Sequence, residues 1–166
     1  MVDHGNVGTS RAIMDVIKPP SVVPWNGRAS VFLAGTIDSG QSADWQYEAE
    51  RALSSLDILV LNPRRDEWDA TWEQTIHNPK FREQVTWELD GLEHASQIFM
   101  HFAGGSQSPI TLLELGLTAG KGNLTIVCEK TFWRRGNIEV VAGRYGLDLH
   151  EDFSVGIASL KGKLSR

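Results

Sequence analysis

Four short apolar runs recur along the chain, at residues 30–37, 57–61, 97–102 and 123–128. A run that is apolar at nearly every position, such as Val31-Phe32-Leu33-Ala34, suits a strand covered on both faces, and so a parallel sheet between two helix layers. Helical spacing intervenes at 42–56 (Ala49, Ala52, Leu53, Leu56), at 81–95 (Val85, Leu89, Leu92 as the inward stripe) and from Ser108 to about residue 120. In that last segment Ser108 is placed to act as N-cap and Pro109 to fill the first helical position. A helix near 137–145, an extended piece at 147–150 and a final helix from about 153 complete the alternation. The predicted fold class is α/β: a flavodoxin-like three-layer α/β/α architecture with a parallel sheet, order 2-1-3-4-5 and right-handed crossovers.

Composition narrows the function classes. At 166 residues and 41% hydrophobic, the chain can bury a full core without staples. Residues 1–29, with Pro19-Pro20 and Pro24, read as a partly ordered N-terminal arm, and residues 30–166 as the domain. Cys128 is the single cysteine, so no intramolecular disulfide framework exists, which together with the absence of a secretory opening points to the cytoplasm. No apolar run approaches the roughly 18 residues that span a bilayer. Sixteen lysines and arginines against 21 acids give a net charge of −5, which argues against a grip on a nucleic-acid backbone. His77, His94 and His101 lack metal-ligand spacing, and neither a GxGxxG nor a glycine-lysine-serine/threonine signature occurs, so no metal and no cofactor is expected.

In an open parallel sheet ligands bind beyond the carboxyl ends of the strands, where the strand order reverses. Here that point falls between the first and third strands, at the loops 35–40 and 101–108, both rich in glycine and small polar residues. Glu114 stands among apolar neighbours about two turns into its helix, too far in for a capping role. It is either a carboxylate on one wet edge or a buried functional acid. Glu88 lies on the flank of its helix with Gln84 and Gly91, as a surface acid or a second functional one. Asn62-Pro63-Arg64-Arg65 ends the second strand, either as turn chemistry or as an anion-holding pair of arginines.

Four segments in this order, Val31 to Ile37, Asn62-Pro63-Arg64-Arg65, Trp87-Glu88-Leu89-Asp90-Gly91-Leu92 and Pro109 to Gly116, resemble the nucleoside 2-deoxyribosyltransferase-like family over roughly residues 30–145. Leu113-Glu114-Leu115-Gly116 is similar to the glutamate-leucine-glycine signature of that family. The resemblance implies cleavage of the N-glycosidic bond of nucleosides, with Glu114 as nucleophile and transfer of the deoxyribosyl group to an acceptor base. It implies that Glu88, an aspartate in the well-known enzymes, holds the nucleophile and the sugar or base. It also implies a homodimer or higher homo-oligomer, with a neighbouring subunit helping to close the site.

The substrate-binding set expected with these catalytic residues is Gly35, Thr36, Ile37, Asp38, Asn62, Arg64 and Ser108. Ser108 replaces the aspartate that contacts the base in the bacterial transferases, and the related nucleotide N-glycosidases place a serine there to hold a phosphate. Those hydrolases also carry an arginine where this chain has Asp38, so the two positions point in opposite directions. The chemistry needs an acid to protonate the departing base, with Asp38 and Glu88 as candidates. Trp45, Trp68 and Trp72 are candidates to stack on it, or plain packing residues. The alternatives are a hydrolase of nucleosides or nucleoside 5′-monophosphates, an NAD glycohydrolase, and a non-catalytic nucleotide-binding module. The expected partners are a small nucleoside or nucleotide and a free base, with neither nucleic acid nor membrane.

Overall fold

A computed structural model describes residues 13–37 and 44–166 of the chain. Six parallel strands form one sheet, with β1 at Asp15–Ile17, β2 at Ser30–Gly35, β3 at Leu59–Leu61, β4 at Gln97–Phe102, β5 at Leu124–Cys128 and β6 at Asp148–His150. Their order is β1-β3-β2-β4-β5-β6. The last five strands stand in the expected 2-1-3-4-5 arrangement. The difference is the sixth strand, β1, which comes from the arm and extends the sheet beside β3. Arg28 fastens it, reaching Asp15 and lying 2.7 Å from Asp57, with a further bond to the Ile13 carbonyl.

The helices are α1 (Trp45–Leu53), α2 (Pro79–His94), α3 (Pro109–Thr118), α4 (Arg135–Tyr145) and α5 (Phe153–Leu164). Strand side chains alternate between two cores, as the pleat requires. Phe32, Ala34, Met100 and Ile126 face α2, α3 and α4, whereas Val31, Leu33, Phe99 and Val127 face α1 and α5. Among the described residues no helix is long and apolar enough to cross a membrane.

The seating of α2 corrects the expected stripe. Its buried residues are Gln84, Trp87, Gly91 and Leu92, and Leu89 is 46% exposed. Gly91 is the reason: a Cβ there would lie 2.5 Å from a Phe32 ring carbon. Without one, the helix drops onto the sheet at that point, and the face rotated toward the core is the one carrying Gln84 and Glu88. The Trp87 ring then packs 6.1 Å from Phe32 while its indole N–H donates to the Ser21 carbonyl in the arm.

Candidate active site

β2 and β4 end side by side, and the site is built outward from there. Gly35 closes β2. A Cβ at Gly35 would meet both the His101 carbonyl oxygen and the Trp45 ring at 2.6 Å, so only glycine fits. The next residue, Thr36, is clamped through its backbone: its N–H donates to the His101 carbonyl at 3.0 Å and its carbonyl accepts from the Trp45 indole at 2.9 Å. Trp45 is thereby spent on structure rather than free to stack on a ligand.

The Thr36 hydroxyl points to the start of α3. It lies 3.0 Å from the Ser106 hydroxyl and 2.5 Å from that of Ser108, and the two serines are 2.9 Å apart. Ser108 reaches this triangle from a left-handed backbone (φ 44°, ψ 52°) and makes no side-chain cap bond. It occupies the N-cap position as expected, but its hydroxyl serves the cluster instead of the helix. A non-glycine residue in this region is strained, and such strain tends to be kept at functional positions. Ile37 is exposed, and Asp38 lies outside the described residues.

Two turns along α3, Glu114 shares the buried face with Thr111, Leu115 and Thr118 and is only 8% exposed. Burial pushes its carboxyl up to about 8, and the Glu88 charge on the neighbouring α2 adds to the effect. Glu88 is half-buried on the inward face of α2. Its carboxyl is also raised, by burial, against a lowering effect of the Gln84 hydrogen bond. Two acids that repel each other this way titrate as a pair.

The third segment follows β3. Asn62 is buried, with its amide N–H donating to Glu50 at 2.6 Å and its side-chain oxygen accepting from the Arg64 backbone at 2.9 Å. Arg64 Nε stands 3.8 Å from Asp44, and its buried Nε and Nη2 have no hydrogen-bond partner among the described residues. Arg65 turns away to Glu83 (2.8 Å) and to the Trp72 ring. Trp68 and Trp72 contact each other edge-on in the same loop.

The expected site residues therefore fall into linked groups. Gly35 and Ile37 flank Thr36, which meets Ser108. Glu88 is near enough to Glu114 for its charge to be felt there, and Gln84 bridges Glu88 to the carbonyl of Pro63, between Asn62 and Arg64. Three residues escape a reading of apolar periodicity. Ser106 completes the hydroxyl triangle, and Gln84 sits one helical turn before Glu88. Gln46 on α1 is fully buried, with neither amide atom paired among the described residues. Only the i, i+4 spacing of Gln84 and Glu88 left a signal in the sequence.

On the opposite face of the sheet, His101 Nε2 lies 3.3 Å from Glu129, whose other oxygen accepts from the Gly104 N–H at 2.7 Å. Burial keeps the His101 imidazole below its ordinary value, with Glu129 pulling the other way. Two surface grooves lie apart from the carboxylates, one along the outer side of α2 and one near Trp25 and His94, and neither is lined by Glu88 or Glu114. Among the described residues no group of three or more histidine, cysteine or acidic side chains is arranged to hold a metal ion.

A sequence model of the family described as nucleoside 2-deoxyribosyltransferase like matches residues 28–132, from just before β2 to just before α4. The matched span contains the hydroxyl triangle, the 62–65 segment and both carboxylates. No curated protein matches the chain.

Proposed function

The chain belongs to the nucleoside 2-deoxyribosyltransferase-like family, and on that premise we propose that it cleaves the N-glycosidic bond of 2′-deoxynucleosides and transfers the deoxyribosyl group to an acceptor base. The observation that carries the reading is the acid pair, buried Glu114 with half-buried Glu88, inside the matched span. A lone buried carboxylate is costly and a second one beside it more so, and a fold keeps such a pair where its charge has work to do.

Glycosidic cleavage builds positive charge at the anomeric carbon. A carboxylate in a dry pocket stabilises that charge and can capture the carbon. In this reading a Glu114 oxygen bonds the anomeric carbon as the carbon–nitrogen bond breaks. The electron pair leaves with the base, which also takes the one proton the pair holds, so no outside acid is required. Attack on the glycosyl-enzyme by a second base completes transfer, and attack by water completes hydrolysis. Gly35, Thr36 and Ile37 border the sugar, and Arg64, whose guanidinium has Nε and Nη2 without a hydrogen-bond partner among the described residues, is the cation offered to the ligand.

The hydroxyl triangle favours a second reading, hydrolysis of nucleoside 5′-monophosphates. Three hydroxyls stand at the N-terminus of α3, where a helix end attracts anions. The same helix supports a further part of the proposal. Ile110, Leu113 and Leu117 are 60, 58 and 58% exposed on its outer side, an apolar stripe with no charged residue among them, suited to a second copy of the chain. A reducing, cytoplasmic setting belongs to the same reading and accords with Cys128 being a free, buried thiol.

The decisive experiment incubates the protein with nucleosides, their monophosphates and NAD, with and without free bases, and identifies the products. Base exchange that disappears in Glu114→Ala supports transfer. Free sugar or sugar phosphate without exchange supports hydrolysis, and exchange retained in Glu114→Ala overturns the assignment of the nucleophile. Saturable binding with no turnover of any compound makes the chain a binding module.

A further inference from the structure

The two acids of the pair differ in one neighbour. Gln84 is 4% exposed on α2, and its amide nitrogen donates to the Pro63 carbonyl at 2.9 Å and to Glu88 Oε1 at 2.8 Å. Both N–H groups are thus committed. A backbone carbonyl cannot donate, so Pro63 fixes which end of the amide faces the pair: turning it over would set two carbonyl oxygens against each other. The Gln84 amide can therefore only donate to Glu88, and a donated N–H bond is stronger to a carboxylate than to a neutral carboxyl, so it favours the ionised form of Glu88. The fold accepts an unfavourable arrangement to keep this, because the Gln84 side-chain oxygen is buried with no partner among the described residues.

Among the described residues no cation on the packed elements does the same work for either acid. Arg65, on the segment of Pro63, is held by Glu83, and Arg64 leans toward Asp44. Lys121 caps the far end of α2 through the Leu92 and Glu93 carbonyls. Glu114 is the single charged residue of α3, and His101 lies on the opposite face of the sheet.

We propose that Gln84 is the positioning residue of the carboxylate pair, holding Glu88 as its ionised member so that the proton the pair retains rests on Glu114 until a ligand arrives. The inference rests on the reading of Glu88 and Glu114 as the working pair. Its consequence is that the nucleophile is stored in its unreactive form, and that the proton destined for the base is stored on the same side chain.

The test is a titration of the intact chain carrying ¹³Cδ-labelled glutamate, with signals assigned from Glu88→Gln and Glu114→Gln. In the native protein Glu88 is expected to lose its proton well before Glu114. In Gln84→Met, which keeps the volume and loses the donor, Glu88 is expected to bind its proton about tenfold more tightly, so that the two titrations merge or change order. The acid limb of any pH–rate profile is expected to move with them. Unchanged Glu88 titration in Gln84→Met overturns the proposal, as does a native protein in which Glu114 ionises first. If Gln84→Met does not fold, the native Gln84 side-chain amide resonances decide: they must follow the ionisation of Glu88, and their failure to move overturns it. The carboxyl titrations need no substrate. A chain that shows the expected order yet cleaves no nucleoside loses the functional reading and keeps this one.

Discussion

Thr36 Oγ1 lies 2.5 Å from Ser108 Oγ, tying the end of the first core strand directly to the start of the helix that carries Glu114. Removing the Ser108 hydroxyl is expected to loosen that tie while leaving the left-handed backbone in place. Ser108→Ala should cost about 1–2 kcal/mol, read by urea unfolding. If the triangle holds a phosphate, the same variant loses at least about tenfold in kcat/KM on monophosphates, about 1.4 kcal/mol, and little on free nucleosides. Equal loss on both substrates removes the phosphate reading.

Glu114 ties function to instability. Its carboxyl is raised to about 8 in the folded chain by burial and by Glu88. A raised acid favours folding fully at pH values below its unfolded value, and that favour is lost as pH climbs to the folded value. Stability is therefore expected to decline between about pH 4.5 and 8. At neutral pH Glu114→Gln should be more stable than the native chain by up to about 3 kcal/mol, with the gain vanishing near pH 4.5. Denaturant midpoints across that range check it. A Glu114→Gln variant whose advantage over the native chain is no larger at pH 8 than at pH 4.5 contradicts the burial of the charge.

Gly91 controls where α2 rests. A methyl group there meets the Phe32 ring at 2.5 Å, so Gly91→Ala must lift the helix or displace the ring. A cost of about 1–3 kcal/mol is expected from such overpacking, with activity falling because Glu88 rides on the same helix. Trimming Phe32 to leucine alongside should recover part of both losses. Recovery of stability without recovery of activity would separate the packing of α2 from the placement of Glu88.

The bare side of α3 gives a prediction about assembly. Leu113→Glu combined with Leu117→Glu should leave the fold intact and convert an assembled species to a monomer, seen as a drop in sedimentation coefficient. A native chain that already sediments as a monomer at micromolar concentration ends the proposal of a second copy on this stripe.

How much of this was legible in the sequence depended on which residues are apolar. The five strands β2 to β6 were readable because most are apolar for their whole length, being covered on both sides. β1 was not, since Asp15–Ile17 is short, partly exposed and opens on an aspartate. The face of α2 was misplaced because its inward line includes Gln84, Glu88 and Gly91, which apolar spacing assigns to the flank. On α3 the reverse happened: residues apolar on nearly every side read as a largely buried helix, but Ile110, Leu113 and Leu117 face outward. Glu114 stood out as an acid among hydrophobic neighbours, whereas the hydroxyl triangle depends on contacts about 70 residues apart that no local pattern carries.

The span shared with the family stops at residue 132, but the cooperative unit does not. Ile157, Leu160 and Leu164 of α5 belong to the same core as Val31, Leu33, Phe99 and Val127. At the other boundary, the indole of Trp87, next in sequence to Glu88, depends on the Ser21 carbonyl. The matched segment therefore cannot be excised as a self-standing unit. Cutting at its borders would strip α5 from one face of the sheet and α4 from the other, and would unpair the indole of Trp87, next to Glu88.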